Sequence, residues 1–111
     1  MFKIESTRVT ATIESPEWII IPKEWGWNIS KYEEFFISLR DNENQIPATR
    51  KPCEAARMLL KWAGTCYAKL ESFANSEPGL WVFNFEFNST KDAAEFLQYV
   101  EEYVSDSINY Y

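Results

Sequence analysis

Histidine is absent from this sequence, and glycine and cysteine are scarce, with three and two residues. Without histidine, the commonest general base and the usual zinc ligand are both gone. Scarce glycine argues against long flexible loops, and neither "KEWGWN" (23–28) nor "EPGLW" (77–81) resembles a phosphate-binding loop. Cys53 and Cys66 fall on what reads as one helix, separated by roughly 20 Å of axial rise, beyond disulfide reach. Both lie on or beside an apolar stripe, so buried, reduced thiols are expected. Two thiols also cannot complete a four-ligand zinc site. The adjacent pairs Glu33–Glu34 and Glu101–Glu102 point about 100° apart on a helix, so neither is a ready acid/base couple. The sequence therefore predicts no catalytic residue, no metal ligand and no cofactor, and a protein that is not an enzyme.

A long apolar run is missing too. Nothing approaches the roughly 20 residues needed to span a bilayer. The start, "MFKIESTRVT", alternates apolar and polar residues where a signal peptide needs a basic start and a continuous apolar block. A cytoplasmic protein is expected, in which the sequons at Asn28 and Asn88 are chance matches.

What is present suffices for a core. Of 111 residues, 46% are hydrophobic and 17% aromatic, which suits one globular domain over residues 1–111. "RVTATI" (8–13) places Val9, Ala11 and Ile13 on one strand face. Phe2 and Ile4 have the opposite parity, so either a bulge intervenes near Ser6 and Thr7 or the first residues pair separately. "ESPE" (14–17) reads as a turn and "WIII" (18–21) as a second strand. Ser30 and Glu33 suggest a capping box, followed by Tyr32, Phe35, Phe36 and Leu39 on one helical face.

After "TRKPCE", the residues Cys53, Ala56, Leu60, Ala63, Tyr67, Leu70 and Ala74 recur at four- and three-residue steps, predicting a long central helix. "LWVFNFEFN" alternates, with Trp81, Phe83, Phe85 and Phe87 on one side. Ser89 and Asp92 cap a final helix, to about residue 105, with Ala93, Phe96, Leu97, Val100 and Val104 inward. The expected fold is α+β: a small, mostly antiparallel three-stranded sheet packed by three helices, order β-β-α-α-β-α.

The net charge is −6, which disfavours nucleic acid or an anionic membrane as direct partner and favours a protein with a basic surface. Charge is also segregated. Arg50, Lys51, Arg57, Lys61 and Lys69 stand against Glu54 alone, whereas Glu77, Glu86, Asp92, Glu95, Glu101, Glu102 and Asp106 stand against Lys91 alone. Asp92, Glu95, Tyr99, Glu102 and Asp106 form one stripe of the last helix, about 20 Å long. Such a stripe suits a basic groove built for a nucleic-acid backbone. Of the two indoles in "KEWGWN", Trp25 is assigned to the core and Trp27 is the candidate interface anchor.

These features match, in character rather than in motif, small acidic inhibitors made by phages and mobile elements, such as anti-CRISPR and anti-restriction proteins. They match equally the immunity proteins that neutralise toxic nucleases. Other readings are a small-ligand pocket on the Trp81–Phe87 face, or a homo-oligomeric structural subunit joined through Ile37 and the C-terminal "INYY".

Overall fold

The computed structural model of the protein describes residues 2–5, 7–15, 19, 26, 28–42, 50–76 and 79–104, with backbone alone for 2–5, 76 and 103–104. The chain runs β1 (Phe2–Glu5), β2 (Arg8–Glu14), α1 (Ile29–Asp41), α2 (Arg50–Thr65), β3 (Lys69–Ser76), β4 (Leu80–Glu86) and α3 (Thr90–Tyr99). A π-helical turn, Val100–Val104, extends α3. The fold is α+β, as expected, with three helices on an antiparallel sheet. The sheet has four strands in the order β1-β2-β4-β3. The predicted strand 18–21 lies outside the described residues, apart from Ile19. The parity break near residue 6 is a hairpin: Glu5 pairs with Arg8, so the first residues form their own strand.

β4 organises the core. Trp81, Phe83 and Phe85 are buried on one face, and Phe87 just beyond the strand, while Leu80, Val82, Asn84 and Glu86 alternate with them. Val9, Ala11 and Ile13 of β2 pair with Phe85, Phe83 and Trp81 and share that buried face. The Phe36 ring of α1 lies 5.2 Å from Trp81 and 5.8 Å from Phe83, and Phe96 of α3 lies 5.7 Å from Phe85. Burying each such ring contributes about 1.5–3 kcal/mol. Among the described residues, the aromatic face is packed against the rings of α1 and α3.

α1 begins two residues earlier than the capping-box pattern suggests. The Asn28 side chain accepts the Lys31 amide at 3.2 Å, so Ser30 and Glu33 lie inside the helix. Asn caps as well as Ser, and the earlier start lets Ile29 pack against the core. α2 is the central helix, packed on α1, β2 and α3. Its buried face is rich in small residues (Pro52, Cys53, Ala55, Ala56, Ala63) that permit close approach. Cys53 and Cys66 are both buried, and neither is in a disulfide.

The long helix ends early. α2 stops at Thr65, and residues 69–76 form edge strand β3. The Tyr67 amide donates to the Gly64 carbonyl at 3.1 Å and the Ala68 amide to the Ala63 carbonyl at 2.9 Å. That pair of bonds is a Schellman motif, with Tyr67 in the left-handed region at φ 64°. Glycine or asparagine usually fills this position, and a side chain with a Cβ there costs on the order of 1 kcal/mol.

Candidate protein-interaction surface

The α3 surface is set by its cap and its core face. Ser89 is the N-cap, its hydroxyl accepting the Asp92 amide at 3.1 Å, as the sequence implies. Ala93, Phe96 and Val100 are buried beneath, and Phe87 and Phe96 pack with ring centres 5.1 Å apart. Pinning these residues inward turns Glu95, Glu101 and Glu102 to solvent, with Asp92 half-buried at the flank. Among the described residues, no ion pair involves any of these four carboxylates.

The expected stripe is not uniform. At 3.6 residues per turn, Asp92 and Tyr99 sit roughly a quarter-turn from the centre of the core face. Both fall on the flank toward α2. Tyr99 is half-buried there, stacked on Trp62 with ring centres 4.4 Å apart and planes 16° from parallel. The Lys61 ammonium lies 5.1 Å from the Trp62 ring. One face of the Tyr99 ring is therefore spent on α2. Beyond Tyr99 the chain takes the wider i→i+5 turn, so Glu102 departs from the straight line that an α-helix would continue. Asp106 and Trp27, the other proposed contacts, lie outside the described residues, as does Trp25.

The acids of α3 reach into the α2–β3 corner. Burial pushes the Cys66 thiol above its ordinary value, and the nearby Glu95 and Asp92 carboxylates add to the shift by disfavouring a thiolate. The Trp62–Tyr99 stack seats the last turn of α2 against the end of α3.

The basic segment behaves differently. Arg57 donates to Glu54 through Nη2, and Arg40 of α1 donates Nη1 to the same carboxylate at 2.5 Å. Arg40 also pairs with Asp41 at 2.9 Å. Burial opposes ionisation of Glu54, but the Arg57 and Arg40 hydrogen bonds outweigh it and hold its carboxyl below the usual range. Arg40, Asp41, Arg50, Lys51 and Glu54 line a shallow depression of about 470 Å³. These ion pairs tie α2 to α1 rather than to the acidic helix.

The residue that sequence reasoning misplaced is Tyr67. It reads as a core position of a long helix, yet its side chain is 73% exposed. A turn signal that omits glycine gave no warning.

Among the described residues, no three Cys, Asp or Glu side chains could hold a metal ion, and no helix is long and apolar enough to cross a membrane. The chain matches no protein-family model, no curated protein and no solved structure.

Proposed function

We propose that the protein acts by stoichiometric binding and not by catalysis, with the outer face of α3 as its contact surface. The partner is a protein whose basic surface ordinarily holds a nucleic-acid backbone, so the chain is an inhibitor that occupies that surface. Phage and mobile-element inhibitors of host defence, of the anti-CRISPR or anti-restriction type, are the class that fits, acting in the cytoplasm. One observation carries this reading: Glu95, Glu101, Glu102 and the half-buried Asp92 make no ion pair among the described residues, in a chain of net charge −6. Carboxylates left without cations at one-turn spacing attract a basic surface and speed its association.

The test is capture of the partner from host cells, followed by titration of its activity. Full inhibition is expected near a fixed molar ratio. The variant Asp92→Asn/Glu95→Gln/Glu102→Gln should keep the fold and bind at least about tenfold more weakly, mainly through slower association, and wild-type binding should weaken steeply with salt. Turnover of the target at strongly substoichiometric protein would overturn the proposal, as would undiminished binding by the triple variant.

A further inference from the structure

The aromatic side chains of β4 occupy one face of the sheet, and Asn84 stands on the other. Thr10 of β2 and Ser72 of β3 lie directly opposite Asn84 in register, one on each side of it. The Thr10 hydroxyl donates to Asn84 Oδ1, and Asn84 Nδ2 donates to Ser72 Oγ, both at 2.7 Å. Asparagine is uncommon in strands, and here two bonds fix its amide in one orientation. The three side chains line a depression of about 310 Å³, together with Arg8 and Glu71. A bulge produces this arrangement. Leu70 pairs with Phe85 and Ser72 with Asn84, so Glu71 has no partner in the ladder. In an unbroken register Glu71 would stand opposite Asn84 and replace the hydroxyl of the row with a carboxylate.

The row keeps hydrogen-bonding capacity that no described residue uses: the second amide proton of Asn84, the Ser72 hydroxyl proton and the Thr10 lone pairs. Arg8 donates Nε to Glu86 at 3.1 Å and stands 3.8 Å from Glu71, too far for a hydrogen bond. Arg8 and Glu71 therefore both have room for a further partner. Val9 and Phe85 also line the depression, but their side chains are buried on the other face, so they offer it only backbone. We propose that this depression binds a neutral, polyhydroxylated ligand, a single sugar ring. A ring hydroxyl donates and accepts at once, as the Thr10–Asn84–Ser72 row requires, and adjacent hydroxyls can bridge a guanidinium and a carboxylate. An apolar ligand would leave the donors of the row without partners. Among the lining residues one cation stands against one anion, so a charged ligand gains nothing from either sign. The volume is at the small end of ligand pockets, which suits one ring. No α3 residue lines the depression, so the assignment is independent of the acidic face.

The probes are the methyl α-glycosides of glucose, galactose and mannose, titrated into the full chain while its amide resonances are followed by NMR. At least one should give saturable shifts at Ser72, at Asn84 and at the Asn84 side-chain amide. Millimolar affinity is expected, because no aromatic ring stacks on the sugar. A free monosaccharide and the end of a glycan chain offer the same chemistry. The trisaccharide of whichever sugar binds separates them: equal affinity marks the free ring and tighter binding the chain end, and either result keeps the site. Ser72→Ala should weaken binding about two- to tenfold, the worth of one neutral hydrogen bond. Asn84→Val should abolish saturation, and valine suits a strand. If that variant fails to fold, Ser72→Ala and Thr10→Val carry the test. Glucosamine and glucuronate should bind no tighter than the neutral sugars. The absence of saturable shifts from all three glycosides would overturn the assignment, as would binding that Ser72→Ala and Thr10→Val leave unchanged. So would glucosamine binding tighter than every neutral sugar, which would make the depression a cation site.

Discussion

Two clusters of charge in this protein are built from the same residue types and put to different uses. In the α1–α2 corner, Glu54 receives hydrogen bonds from Arg40 and Arg57, and Asp41 closes onto Arg40. On α3, acids at similar helical spacing face solvent with no ion pair among the described residues. The first cluster joins two helices; the second joins none by an ion pair among the described residues. Net charge does not distinguish them. What does is whether a neighbouring element brings a cation within reach, which is settled by packing.

The largest effect separating the two should come from Glu54→Ala. It leaves two guanidinium groups converging on nothing, and stability to urea should fall by about 1–2 kcal/mol, since charged hydrogen bonds of this partly buried kind carry that much. Glu95→Ala, on the open face, should change stability by no more than about 0.5 kcal/mol. Equal losses from the two would erase the distinction.

Most of this fold is legible in the sequence. β2 and β4 are read from period-two alternation, α3 from its serine cap, and the cysteines from their place on an apolar stripe. The failure at β3 has a definite cause. Between Leu70 and Ser72 the register with β4 shifts, so Leu70 pairs with Phe85 and Phe73 with Phe83. A bulge thereby lets residues three apart face the same way in a strand. Residues 67, 70 and 74 then continue the helical spacing of α2 without a break. The stop itself, a tyrosine where glycine is customary, carries no signal in the sequence. On α3, the acids were legible as a stripe, whereas the α2 seam that claims Tyr99 requires knowledge of which helix lies alongside.

Titration sharpens the comparison at both ends of the pH scale. The folded-state pKa of Glu54 is lowered, chiefly because its two arginine bonds outweigh burial. Its stabilisation is therefore present above the unfolded pKa of about 4.3 and lost as pH falls through the folded value. Urea midpoints below about pH 4.5 should decline less steeply in Glu54→Gln than in wild type. Cys66 has the opposite sign. Its folded pKa is raised by burial and then by Glu95 and Asp92, so its contribution is whole below the unfolded value of about 8.5 and disappears as pH rises through the folded one. Cys66→Ala should flatten the alkaline decline, and Asp92→Asn/Glu95→Gln should flatten it slightly. Alkaline midpoints that ignore the α3 acids would mean they do not bear on that corner.

Smaller still is the cap of α3. Ser89→Ala should cost about 1 kcal/mol through loss of the hydroxyl that accepts the Asp92 amide. Asp92→Asn should cost only about 0.3–1 kcal/mol, its charge favouring the helix N-terminus. Thermal melts in parallel would show the order. A larger loss at Asp92 than at Ser89 would give that carboxylate a structural duty and move it into the first cluster.

The pairing of β2 with β4 has a consequence in time. Val9, Ala11 and Ile13 lie opposite Phe85, Phe83 and Trp81, so adjacent strands in the middle of the sheet come from opposite ends of the described chain. During synthesis, residues 8–14 leave the ribosome several seconds before residues 80–86, at the usual rate of about 5–20 residues per second. Until then the inner faces of β2, α1 and α2 lack the aromatic strand that covers them, and only the β1–β2 and α1–α2 contacts are local enough to form. Sheet closure over so long a loop is slow. A nascent chain halted before Leu80 would present apolar surface that the finished protein hides, and would call on chaperones that the complete chain has no further need of.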